Sequence, residues 1–548
     1  MQVQIKSIQS RLLYPTALRF LMVVLLMLGI FFRFANLDRK VYWHDEAFTS
    51  MRVSGYLRKE ILQEVFKGQV IGIRDLDKYQ QPSLEKGLLG TIKGLAQEEP
   101  QHPPLYFVMM RIWAQLFGSS VAVTRTLSVF ISLLVFPAIY WLCLELFESP
   151  LVGWMAIAIV AVSPIHVLFA QEAREYVLWT VTILLSSAAL LRALRDKTKF
   201  NWGIYAVTLV VGLYTFLFTG LVAIGHGIYV VVTENFRRTK TVTIYLFATF
   251  VSFLTFVPWI IVVILSFSSF NGSTRWSAKD YGLLFLVKTW CLNLSRIFLD
   301  LDINTFFDVD FSFNKLITYL SLPILVLIGY SIYFLYRNSP KRVWLFVLTL
   351  IGSTALALLL PDLILGGRRS ITVRYLFPCV LGIELAVAYL LITKMTSISV
   401  ASVQQKLWQL VTLAIISIGV VSNVSIAGAE VTWNKSMSCY NPQLSRIINQ
   451  ANHPLLVSSS YGNNVAYLLS LSHLLNTKVQ LQLVVEPDIP KIPSDFGEIF
   501  LFNPSKAWLA QFEKEQAYKI EPVYQPICRA YGDLFWGVEL WRLEKKNI

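Results

Sequence analysis

Eleven apolar stretches of 16 to 24 residues recur along the chain, near residues 12–34, 122–144, 151–169, 176–193, 202–218, 219–234, 243–266, 315–336, 343–361, 375–393 and 407–426. A helix rises 1.5 Å per residue, so about 20 such residues cross a hydrocarbon core about 30 Å thick. Only a helix satisfies its own backbone over that length in lipid, short of a closed barrel. Hydrophobic residues make up 55% of the chain and charged residues 15%, against about 25% charged in soluble domains. The sequence therefore predicts a polytopic α-helical membrane protein with about eleven transmembrane helices. The first run exceeds a signal-peptide core and has no small-residue cleavage site, so it is expected to be retained.

Basic clusters set the orientation. They lie at Arg192, Arg195, Lys197 and Lys199, at Arg237, Arg238 and Lys240, at Arg337, Lys341 and Arg342, and at Lys394 and Lys406. Placing all of them on the cytoplasmic side agrees with eleven crossings, an inner N-terminus and an outer C-terminus. Residues 103–117, about 15 residues containing Arg111, are expected to form a juxtamembrane or partly inserted helix. Residues 200–235 need two short helices with a turn near Gly220.

Two units follow: a transmembrane domain, residues 1–426, with a large outer loop at 35–101, and a small extracytoplasmic α/β domain at 427–548. In the latter, apolar runs shorten to strands near 455, 479, 498 and 537, alternating with helical stretches at 464–475 and 505–515. The net charge of +14 lies outside this second unit, whose 11 basic residues balance 11 acidic ones. Nucleic acid is therefore not an expected partner. A second outer segment, 267–314, carries Asp300, Asp302, Asp308 and Asp310. The five cysteines form no CxxC pair. Cys439 and Cys528, both in the second unit, are either a disulfide or two buried thiols.

Ionisable residues at a membrane are functional candidates by default, and four clusters fall on the outer side. Asp45 and Glu46 follow the first helix; one carboxylate can take a proton while the other orients a ligand, or Asp45 simply caps a helix. His102 opens a Pro-initiated helix at its positive end. His166 and then Glu172, Arg174 and Glu175 occupy a short connection, either as a site or as surface ion pairs and caps. Arg368, Arg369 and Arg374 break the inside bias of basic residues beside Gly366 and Gly367, which suits a phosphate site at the membrane surface.

Taken in order, these residues resemble the GT-C glycosyltransferases. The pattern comprises Asp45-Glu46, His102-Pro103-Pro104-Leu105, the Phe117-Gly118-Ser119-Ser120 run through Arg125 to Leu127-Ser128, Ser163-Pro164 with Gln171-Glu172-Ala173-Arg174, and Arg374-Tyr375-Leu376-Phe377-Pro378. It is similar to the family 39 protein O-mannosyltransferases and the related aminoarabinose lipid A transferases, over residues 10 to about 395. The resemblance implies an inverting transfer of a sugar from a polyprenyl-phosphate donor to a lipid, glycan or protein acceptor. Asp45 would be the base or acceptor-orienting carboxylate, with Glu46 supporting it, and His102 and Arg374 would bind the donor phosphate. His102 stands where the aminoarabinose enzymes have Lys, and the repeat-bearing luminal domain of eukaryotic mannosyltransferases is missing. No motif demands a cofactor, although Asp45, Glu172 and the histidines offer ligands for a divalent metal. The expected location is a bacterial inner membrane, with the site on the periplasmic side and membrane lipids as neighbours. A lipid or oligosaccharide transporter would also gather charge in a cavity, but it needs access from both faces; a membrane-anchored binding protein would leave the outer clusters without a role.

Overall fold

The computed structural model describes residues 16–301, 316–396, 402–515, 518–525 and 538–545; Asp302, Asp308, Asp310 and Cys528 lie outside these. Each of the eleven apolar runs is mainly helical over its described residues. Among the described residues, seven helices have the length and hydropathy of a full span: Val121–Phe147, Tyr176–Asp196, Lys240–Leu265, Tyr319–Asn338, Lys341–Leu365, Phe377–Thr396 and Val403–Gly428. The bent pair Pro150–Val162 and Pro164–Ala170 makes an eighth if both halves cross together. Thr16–Phe34, Lys199–Thr215 and Thr219–Thr233 account for the other runs. Leu105–Phe117 has 13 residues, about 20 Å of helix, too short for a full span.

The break inside the 151–169 run has a specific cause. Pro164 carries no N–H for the carbonyl of Val160, and the chain turns there by 61°. Side chains from neighbouring helices cap the carbonyls this frees: Arg33 donates to Val160 O at 3.0 Å and to Ala161 O at 3.1 Å, and Asn423 donates to Val162 O at 2.7 Å. Small residues permit the approach. A Cβ on Gly29 would sit 2.7 Å from Ala161 Cβ, and one on Gly419 would sit 2.7 Å from Val162 O.

The bend delivers the connection 171–175 to the end of the first helix. There Gln171 Nε2 donates to Phe32 O at 2.8 Å and Ala35 O at 2.9 Å, closing the helix's last turn, while Lys40 Nζ donates to Gln171 Oε1 at 2.7 Å.

One six-stranded sheet ends the chain, in the order β1-β3-β2-β4-β6-β5. Its strands are β1 Lys67–Gly72, β2 Pro454–Ser459, β3 Gln480–Val484, β4 Glu498–Phe502, β5 Tyr518–Tyr524 and β6 Leu540–Lys545. β2 lies parallel to both neighbours and is buried throughout, its Ser458 and Ser459 included. β1 comes from the segment 35–101 and pairs antiparallel with β3, where Gln482 Nε2 also donates to Gly68 O at 2.8 Å. The α/β unit thus takes a strand from near the start of the chain.

Candidate active site

The segment carrying Asp45 is held by the end of the last long helix and by residues that follow it. Asn36 Nδ2 donates to Ala427 O, Val41 N to Glu430 O, and His44 N to Ser438 Oγ, each at 2.9 Å. The helix His44–Ser54 starts immediately afterwards, and Glu46 Oε2 accepts from the Trp43 amide at 3.3 Å. Glu46, rather than Asp45, caps this helix. Asp45 is left facing a cavity of about 900 Å³.

Arg374 Nη1 donates to Asp45 Oδ2 at 3.2 Å, and His44 Nε2 lies 3.4 Å from Oδ1. The Arg374 guanidinium lies against the rings of Trp276, Tyr375, Trp43 and Tyr176 at 5.5 to 5.9 Å, which fixes its plane. Its Nε is buried and has no hydrogen-bond partner among the described residues. Burial pushes the Asp45 carboxyl up; the cations around it, Arg374 foremost, outweigh it and hold it at about 2. A carboxylate and a planar guanidinium with a spare donor therefore share one wall.

His102 and Arg174 line the same cavity. Arg174 Nη2 lies 3.0 Å from His102 Nε2, and His102 Nδ1 lies 2.7 Å from Glu175 Oε1. Arg174 can only donate, so Nε2 accepts and the ring proton sits on Nδ1, toward Glu175. Arg174 Nη1 also donates to Asp45 O at 3.3 Å and Thr49 Oγ1 at 3.2 Å. Nε2 of His102 is thus committed to Arg174, which it orients, while Nδ1 faces Glu175. Arg368 reaches the cavity with its guanidinium over Trp276 at 4.8 Å, donating to Trp276 O and Tyr281 Oη at 3.1 Å.

The other expected residues do not line the cavity. Glu46 is fully buried, gripped by Arg125 at 2.6 and 2.8 Å and by the Ala173 amide at 3.0 Å. Glu175 is buried beneath His102 and Arg174. Glu172 accepts from Asn434 at 2.6 Å and Lys435 at 3.0 Å. Burial raises its carboxyl to about 7 against the pull of Lys435, with the charge of Glu46 adding to the rise. His166 pairs with Glu384 at 3.0 Å among the helices, and Arg369 with Asp362 at 3.0 Å. The suggested metal set is consequently not assembled: Glu172 is turned away from Asp45, and among the described residues no three His, Cys, Asp or Glu side chains are grouped to hold an ion.

Sequence reasoning missed the support behind this wall. Lys435 Nζ, 1% exposed, sits 3.0 Å from Glu172 and 3.5 Å from Glu46, and 5.7 Å from the Trp43 ring centroid. Neighbouring Asn434, Trp433 and Met437 line the cavity, as do Asn463 and Tyr467 from the α/β unit. The one available signal was the Trp-Asn-Lys step directly after the last apolar run.

No curated protein matches the chain in sequence. Residues 101–262 match the family described as dolichyl-phosphate-mannose-protein mannosyltransferase. Among solved structures, apo ArnT from Cupriavidus metallidurans aligns at 11% identity over 96% of this chain and 98% of that one, with a TM-score of 0.53. The undecaprenyl phosphate complex of ArnT aligns over the same shares at 11% identity and a TM-score of 0.49. The archaeal oligosaccharyltransferase AglB from Archaeoglobus fulgidus aligns at 11% identity over 84% of this chain and 64% of that one, with a TM-score of 0.48. By its fold and its matched segment, the chain is a GT-C-fold integral membrane protein similar to the family 39 mannosyltransferases.

Proposed function

We propose that the chain is an inverting glycosyltransferase that moves a hexose or pentose from a polyprenyl-phosphate donor to a lipid, glycan or protein acceptor. It would act at the periplasmic face of a bacterial inner membrane, with residues 427–548 on that side. The observation that carries this reading is the Asp45–Arg374 pair, 3.2 Å apart on the cavity wall. The matched segment, 101–262, supports it by spanning His102, Arg125 and the 171–175 connection.

In this reading the donor phosphate docks on Arg374, with Arg368 and the His102-oriented Arg174 adding positive charge. Docking draws Arg374 away from Asp45, whose carboxylate then becomes more basic. The acceptor oxygen attacks C1 and its proton passes to Asp45. The C1–O bond to phosphate breaks, and polyprenyl phosphate leaves with the bonding pair, its charge held by the guanidinium groups. One displacement inverts the anomeric centre, through the oxocarbenium-like state general to glycosyl transfer.

The test is incubation of purified protein with undecaprenyl phosphate carrying labelled mannose or aminoarabinose. The expected result is release of free undecaprenyl phosphate. Movement of intact donor across vesicles without release would favour a transporter instead.

A further inference from the structure

The cavity carries a second set of cations that the transfer step leaves unused. Arg58 and Lys59 open the helix Arg58–Val65 and line the cavity together with Asn463 and Tyr467. Arg52, on the same wall, is neutralised twice, lying 2.6 Å from Glu98 and 2.7 Å from Glu99. Arg58 and Lys59 differ: neither side chain makes an ion pair within 4.0 Å among the described residues. Arg58 Nη2 donates to the carbonyls of Ser460 and Gly462 at 3.0 and 2.7 Å, and its Nε is buried without a hydrogen-bond partner.

Geometry separates this end from Asp45. Arg52 follows Asp45 by seven residues in the helix His44–Ser54, about 10 Å along its axis. Glu98 bridges Arg52 to the Arg58 amide, which it reaches at 2.9 Å. A phosphate bound at Arg58 and Lys59 would rest on different cations from the donor phosphate, which in the reading above docks on Arg374. Glu98, the carboxylate that acts on Arg58, is already paired with Arg52, so a bound oxyanion would add counter-charge at Arg58 and Lys59.

We infer that Arg58 and Lys59 form an acceptor subsite for an oxyanion, a phosphate or carboxylate carried apart from the hydroxyl that is glycosylated. This rests on the transferase reading above. Asn463 adds an amide for hydroxyl groups, and Tyr467 adds a ring for a sugar face. Because Arg58 also clamps the loop at Ser460 and Gly462, the α/β unit helps to shape this subsite.

The test uses the full chain in detergent, with maltose 1-phosphate and maltose as probes in titrations followed by saturation-transfer NMR. Maltose 1-phosphate is expected to bind more tightly than maltose. Lys59→Gln should weaken it by about five- to tenfold, the scale of one charge-assisted contact partly open to water, whereas Arg374→Gln should leave it unchanged. Lys59 is exposed and unpaired, so this variant keeps the fold; Arg58→Gln, which also loses the clamp, should weaken binding further. Equal affinity for the two sugars would overturn the inference. So would binding that survives Lys59→Gln and disappears in Arg374→Gln, since the probe would then report the donor phosphate site. Undecaprenyl phosphate binding by the wild-type chain is read in parallel; its absence contradicts the donor reading whatever maltose 1-phosphate does, which separates the two failures.

Discussion

The Asp45 carboxyl lies between burial, which raises its pKa, and the cations around it, Arg374 foremost, which lower it further than burial raises it. At rest it is an ion held by Arg374, and a phosphate competing for that guanidinium would release it. Arg374→Ala should therefore raise the donor KM by about tenfold or more, and Arg374→Lys should recover little, because a point charge replaces a planar fork stacked among four rings. An unchanged KM in the alanine variant would remove the phosphate role. Glu172 has the opposite linkage. Its carboxyl is raised from 4.5 to about 7, so the folded state binds this proton more tightly than the unfolded chain does. That stabilisation is complete below the unfolded value and is lost as pH rises through about 7, whereas the contribution of Asp45 is lost only as pH falls from 3.8 toward about 2. Melting temperatures in detergent should thus fall less for Glu172→Gln than for wild type between about pH 5 and about pH 8; equal slopes would contradict the assignment. At this scale the sequence was informative where an ionisable residue stood beside an apolar run, as with Asp45, His102, Arg174 and Arg374. It could not tell a side chain facing the cavity from one turned behind it, because Asp45 and Glu46 are adjacent and differ only in direction.

Among the elements, the broken helix around Pro164 is what brings the 171–175 connection to the site. Arg33→Met would leave the buried carbonyls of Val160 and Ala161 uncapped, at a cost of about 2–4 kcal/mol. The expected outcome is a lower unfolding midpoint in detergent, partly restored by Arg33→Lys; an unchanged midpoint would mean that the break needs no cap. Each apolar run was legible as a helix because lipid imposes both length and composition. The bend was not, since a run of apolar residues looks the same straight or broken, and the capping groups lie some 130 to 260 residues away. The strands divide in the same way. β2, β3, β4 and β6 announced themselves as short apolar runs. β1, with glycine at both Gly68 and Gly72, and the half-exposed β5 have no such pattern and depend on distant partners.

Across the whole molecule, the α/β unit and the membrane helices build one site. β1 joins the segment 35–101 to the sheet, Lys435 bridges Glu172 and Glu46 behind the Asp45 segment, and Tyr467 lines the cavity. Dividing the chain at residue 427 describes its sequence well and its site poorly. Truncation after Gly428 should therefore abolish transfer even though every apolar run is kept. Lys435→Met should lower kcat by about tenfold or more with little change in donor KM, because it moves the support of Asp45 rather than a donor contact, and Lys435→Arg should restore part of the loss. A rise in KM alone would instead place Lys435 among the donor ligands. The central claim is that Asp45 accepts the proton in a sugar transfer from polyprenyl phosphate. Its most direct test is the rate of undecaprenyl phosphate release from a labelled donor by wild type and Asp45→Asn, with donor binding measured on both. The predicted result is a loss of about 10²-fold or more with donor binding retained; release by the variant at the wild-type rate would contradict the account.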